Sequence, residues 1–124
     1  MKLILLIGTG SFIGGIFRYL LSLLVQSKTA SAFPFPTFTV NIIGCFLIGI
    51  VFGFFDKGLL SHEWKLFFAT GVIGGFTTFS AFSMETFTLL KEGQFGYALL
   101  YVFGSILLGV LATCIAYLWV NNQA

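Results

Sequence analysis

Charge is what this sequence lacks most. Only 8% of its 124 residues are charged, against about a quarter in an ordinary soluble domain. A chain so poor in ionisable groups cannot clothe its own surface for water. With 58% hydrophobic residues, it suits a bilayer, where the solvent is as apolar as the side chains. The net charge of +2 is small and scattered, which speaks against a nucleic-acid partner. Histidine is represented once, by His62 in a charged connector. The two cysteines, Cys45 and Cys114, both lie in apolar runs and read as small buried hydrophobes. These residues make no zinc set. No nucleophile has a base beside it, and no phosphate-binding loop joins a strand to a helix. Enzyme chemistry therefore finds no foothold.

Long apolar runs are abundant. About 20 apolar residues cross the hydrocarbon core as a helix. Four segments qualify: about 3–25, 37–55, 65–90 and 95–120. The connectors QSKTASAFPFP, DKGLLSHEWK and KEGQ are short. The expectation is one all-α, four-helix transmembrane domain over residues 1–124. The first apolar run outlasts a signal-peptide core and no A-x-A-like site follows it, so it reads as a retained span.

Orientation is ambiguous. Lys2, Lys57 and Lys65 mark one side, and Lys28 and Lys91 the other, with Arg18 leaning toward the second. The positive-inside rule needs an excess of Lys and Arg on one face, and here it nearly vanishes. That pattern fits either a weak signal or dual topology, with copies inserted both ways. Small residues recur every fourth position: Gly10 and Gly14 before Arg18; Cys45, Gly49 and Gly53 after Asn41; Ser105, Gly109 and Thr113. Such spacing lets transmembrane backbones approach closely. Four helices packed this way leave no pore within one subunit, so a conduit implies an oligomer.

Polar side chains at membrane depth are costly and therefore informative. Arg18 fits a snorkelling cation or a cation facing a watery vestibule. Asn41 fits an interhelical hydrogen bond or a donor aimed into an aqueous path. Glu85 fits a structural hydrogen bond or an ion site. The stretch GVIGGFTTFSAFSMET, from Gly71 to Thr86, is the oddest. Gly74 and Gly75 weaken a helix, and Thr77 and Thr78 can bond the backbone instead of continuing it. The expectation is a helix broken at mid-membrane, tolerated only where protein or a polar cavity covers it. Its carbonyls would suit a hard cation. Phe79 and Phe82 then share a helix face, as do Ser80 and Ser83.

The motifs GGIFRY (Gly14 to Tyr19), TVNIIGCFLIG (Thr39 to Gly49) and GGFTTFSAFSMET (Gly74 to Thr86) together resemble the Fluc/CrcB family of fluoride channels, over essentially the whole chain. The resemblance implies a passive fluoride exporter in the plasma (cell inner) membrane. It also implies an antiparallel, dual-topology homodimer with two pores, each built from both subunits. Asn41, Phe79, Phe82 and Ser80 would line the pore. Ser80, Glu85, Tyr101 and Ser105 would form a polar track beside the rings, and Arg18 would stand at the vestibule. The carbonyls of Gly74 and Thr77 would hold a central, structural sodium ion (Na+). Two departures stand out. The family pattern often reads TTFSTFS, and this chain has Ala81 where the second threonine would be. Pro36 replaces an expected glycine before Thr37. Two rival readings explain less. A proton-coupled multidrug exporter would carry an acid in its first span, where this chain has Arg18. A packing subunit without transport would leave Asn41 and the interrupted third span unexplained.

Overall fold

In a computed structural model of the chain, residues 1–123 are described, and they are helical throughout apart from short connections. The elements are α1 (Lys2–Lys28), α2 (Phe35–Asp56), α3 (His62–Lys65), a π-helix (Leu66–Ile73), α4 (Gly74–Phe76), α5 (Phe79–Lys91) and α6 (Phe95–Asn121). Among the described residues, four helical stretches are long and apolar enough to cross a membrane: α1, α2, the run His62–Lys91, and α6.

Two of the tight connections share one device. Gly58 and Gly93 have φ of 74° and 76°, the left-handed conformation that costs glycine little. Each ends its helix in a Schellman motif. Gly58 donates to Phe55 O and Leu59 to Phe54 O; Gly93 donates to Leu90 O and Gln94 to Leu89 O. Lys57 then donates to the carbonyls of Val120 (3.1 Å) and Gln123 at the other end of the chain, which caps α6.

Two seams organise the bundle. α2 packs chiefly on α6, and α1 on the π-helix and α4. The small-residue rows lie in these seams. A methyl built on Gly14 would overlap the Val72 carbonyl oxygen, and one on Gly75 would sit 2.5 Å from Ser11 O. Across the other seam, Thr113 Oγ1 donates to Cys45 O at 2.8 Å, and Gly49 has no room for a methyl beside the Thr113 carbonyl. Close backbone approach does here what large side chains do in a soluble core. Large apolar side chains such as Phe12 and Phe103 project outward, 71% and 64% exposed, as lipid-facing positions must. The buried aromatic centre is small: Phe33 meets Tyr101 edge-on at 5.5 Å, with Leu89 and Ala98 beside them.

The π-helix was not expected from the sequence. A π turn bonds i to i−5 and is rare outside functional sites; Gly74 N donates back to Ala69 O in this way. Its physical setting is the crowded α1 seam, where the built methyls of both Gly10 and Gly14 meet its backbone.

The seam can be tested. Gly14→Ala should destabilise the fold by about 1–3 kcal/mol, because backbone rather than a flexible side chain must move. Gly8→Ala, with nothing within 4 Å of its built methyl, should leave stability unchanged. Thermal unfolding in detergent reads both, and equal melting of the two variants would refute the seam.

Candidate functional site

The site grows from two residues of extended backbone. Thr77 (φ −85°, ψ 159°) and Thr78 (φ −149°, ψ 121°) separate α4 from α5. In an α-helix each N–H bonds the carbonyl four residues earlier. Thr77 N keeps its bond to Ile73 O at 2.9 Å, but Thr78 N forfeits its own, and each orphaned group needs another partner. Asn41, on α2, supplies two. Its Nδ2 donates to Thr78 O at 3.1 Å, and its Oδ1 accepts from Thr78 N at 2.9 Å. One amide side chain thus mimics a neighbouring strand. Thr78 Oγ1 accepts from Ala81 N at 3.2 Å, the usual N-cap bond, and lies 3.2 Å from Ser80 Oγ. Arg18 Nε donates to Gly75 O at 3.2 Å. The guanidinium that α1 carries therefore sits against the turn, on one of its carbonyls.

These bonds leave particular carbonyls over. Among the described residues, no backbone amide outside the regular helical bonding donates to the carbonyls of Gly74, Phe76 or Thr77. Phe76 is buried. Gly74 and Thr77 instead line an open cavity of about 830 Å³, which Asn41, Phe79, Phe82 and Ser105 also border. Thr77's own hydroxyl is spent on Ile73 O at 3.0 Å, so only its carbonyl is on offer. A cation held here would meet carbonyl oxygens, a donor set that suits hard ions. No cluster of three or more His, Cys, Asp or Glu that could hold a metal exists among the described residues.

Beyond the turn, the rings form a row. Phe79 and Phe82 stack with centroids 5.6 Å apart and planes 11° from parallel. Phe82 stacks on Tyr101 at 4.9 Å and 26°. Stacked rings cover one another's faces, so the edges remain along the side of the row. A ring edge is electropositive. Phe79 is 82% exposed. The spacing of Phe79 and Phe82 promised a shared helix face; the addition of Tyr101 from α6 could not be read from it.

The polar residues cluster at the far end of this row. Thr37 Oγ1 donates to Glu85 Oε1 at 2.5 Å. Tyr101 lies beside both. Tyr101 Oη and Ser105 Oγ are buried without a hydrogen-bond partner among the described residues. Ser80 is exposed next to the turn, apart from the Glu85 cluster. Thr37 was not singled out from the sequence, and Thr78 was read there only as a residue that can bond the backbone. A signal existed for each. Thr37 stands one helical turn before Asn41 on α2, so the two face the same way. Thr78 precedes a helical run by one residue, as a cap does.

Residues 5–117 match the family model described as "CrcB-like protein, Camphor Resistance (CrcB)". The chain belongs to the CrcB family. A protein of Thermus thermophilus, named fluoride-specific ion channel FluC, is 46% identical over 117 residues, covering 94% of each chain. A protein of the same name from Oceanobacillus iheyensis is 48% identical over 111 residues, covering 89% of this chain and 84% of its own. One from Flavobacterium psychrophilum is 44% identical over 114 residues, covering 91% and 92%. The CrcB match takes in every site residue described above, from Arg18 on α1 to Ser105 on α6. With four apolar crossing helices, this CrcB-family chain is a multi-pass membrane protein.

The Thr37–Glu85 bond ties α2 to α5. Thr37→Val should cost about 1–3 kcal/mol by leaving a half-buried carboxylate short of its donor, and Thr37→Ser should cost little. Denaturation midpoints in detergent measure this; parent-like stability of the valine variant would count against the bond.

Proposed function

We propose that the protein is a passive, fluoride-selective channel that lets fluoride leave the cell across the plasma membrane. The row of stacked rings on α5 and α6, beginning at the Thr77–Thr78 turn and bordering an open cavity, carries the reading. Near-full-length relatives named fluoride-specific ion channels supply the substrate. Fluoride is small, strongly hydrated and a strong hydrogen-bond acceptor. A selective path must replace its water without holding it too tightly to leave. Ring edges of Phe79 and Phe82 would attract it weakly. Ser80, the second Nδ2 hydrogen of Asn41, and the unpartnered hydroxyls of Tyr101 and Ser105 would donate to it along the way. Arg18 would add positive charge near the vestibule. Glu85, held by Thr37, would mark the far end of the polar track, where Ala81 supplies no hydroxyl.

The reading requires a second copy. We place it antiparallel, in a dual-topology homodimer with two pores. The nearly balanced lysines support this. So does Phe79, which one subunit leaves 82% exposed at the cavity and which a partner would enclose. In this arrangement the Thr77–Thr78 turn lies at mid-membrane and faces its counterpart. The Gly74 and Thr77 carbonyls would fit a shared structural Na+, because neither receives an amide from the turn and both residues border the cavity. When bound, the ion supplies fixed positive charge. A proton-coupled exporter is a poorer fit, since α1 carries Arg18 and no acid.

Phe79→Ile and Phe82→Ile should each lower fluoride efflux from liposomes, read with a fluoride electrode, while the protein stays folded. Parent flux in both variants would sink the pore assignment. Thr77→Ser should keep the sodium dependence of that efflux, because the carbonyl is retained; its loss would argue against a backbone ligand.

A further inference from the structure

A turn in a helix does not by itself leave chosen carbonyls open. Three kinds of bond compete for each orphaned group, and the outcome depends on which side chains intervene. In an uninterrupted helix Thr78 N would close on Gly74 O, Phe79 N on Gly75 O, and Ala81 N on Thr77 O. Each of these three pairings is replaced. Asn41 Oδ1 takes the Thr78 amide at 2.9 Å. Arg18 Nε takes the Gly75 carbonyl at 3.2 Å. Thr78 Oγ1 takes the Ala81 amide at 3.2 Å. Gly74 and Thr77, whose carbonyls take none of these amides, are both residues that border the cavity.

We infer that Thr78, together with Asn41, is a positioning residue for the cation site: their side chains divert the two amides that would otherwise close the Gly74 and Thr77 carbonyls. The inference rests on the sodium reading above and extends it to a residue that touches neither ion. Thr78 does the larger share. Its hydroxyl caps α5, and its backbone N–H and C=O are the two groups that Asn41 grips. The extended conformation at Thr78 is thereby held from two sides. A third contact fixes the turn on its other flank. The Thr77 methyl packs against Gly44 on α2, where a built Cβ would overlap it. That contact anchors the Thr77 side chain, and with it the Thr77 Cα, against α2.

The arrangement also links the two ions. Asn41 spends one Nδ2 hydrogen and Oδ1 on Thr78, leaving one hydrogen for the anion path. Any pull on that amide is felt by the Thr78 backbone, and so by the residue whose N–H must stay off Gly74 O.

The test reads sodium directly, apart from flux. Sodium binding to the purified full chain is measured as the rise in melting temperature with NaCl, against equimolar N-methylglucamine chloride. Thr78→Val, which keeps the shape but removes the acceptor, should weaken sodium binding about tenfold, the scale of losing one cap bond. Thr78→Ser should bind as the parent does, and Asn41→Leu should weaken binding comparably to the valine variant. Parent-like sodium affinity in Thr78→Val would overturn the proposal. If that variant fails to fold, Thr78→Asn, another capping side chain, decides. Restored folding with parent-like affinity supports the assignment, and restored folding without sodium affinity overturns it. Failure of the parent chain itself to respond to sodium removes the sodium site, and this proposal with it. That outcome is distinct from a parent that responds and a valine variant that responds equally.

Discussion

Hydrogen bonding of the main chain governs the rest of the molecule. Hydrocarbon offers no water to an unpaired amide or carbonyl, so an irregular backbone survives there only if protein groups hold it. Asn41 answers that demand at Thr78 with a paired donor and acceptor. One neutral amide meets both needs at once, where a carboxylate could only accept and an ammonium only donate. This explains why the second span carries an asparagine among apolar neighbours. It also explains why α2, rather than α1, lies against the start of α5 at this level.

Packing follows from the same requirement. For Asn41 to reach Thr78, α2 must come close to the turn, and Gly44 gives it that closeness by leaving room for the Thr77 methyl. For Arg18 to reach Gly75 O, α1 must come close from the other side, which Gly14 and the facing π-helix allow. The small-residue rows are thus more than a general glue. They bring two helices against one turn from opposite flanks. The cost is a chain with few large buried side chains, Tyr101 and Val40 being the largest that are fully enclosed. A bilayer tolerates this, because outward-facing Phe and Leu have lipid to meet.

Much of this was legible in the sequence, and for identifiable reasons. Apolar runs of bilayer length mark the four crossing helices, because length and hydropathy are properties of single segments. Glycines at four-residue spacing mark the seams, because helical period makes them one face. The pair Gly74–Gly75 followed by Thr77–Thr78 marks a place where a helix is weak. What escaped was the pairing across elements. That Arg18 would lie on Gly75, that Thr37 would hold Glu85, and that Tyr101 would extend the ring row all depend on how four helices are arranged in space. The π-helix escaped for another reason. Leu66–Ile73 has no residue that favours it; the close approach of α1 accompanies it, and that is a property of the assembled bundle.

The division of labour within the turn follows from these bonds. The anion path and the cation site proposed for this turn would need opposite things from a backbone: donors for one, bare carbonyls for the other. A helix exposes amides only at its start and carbonyls only at its end, so a single interruption supplies both. α4 ends in carbonyls, and α5 starts in amides. Left alone, the two sets would seek each other across the gap. The side chains of Asn41 and Thr78 keep them apart, each by accepting from one amide that would otherwise close on a carbonyl. On this account the two threonines are not equivalent. Thr77 turns its hydroxyl back to Ile73 and offers its carbonyl, while Thr78 offers its hydroxyl to α5 and surrenders its carbonyl to Asn41. Two identical letters in a row take opposite hydrogen-bonding parts in one turn.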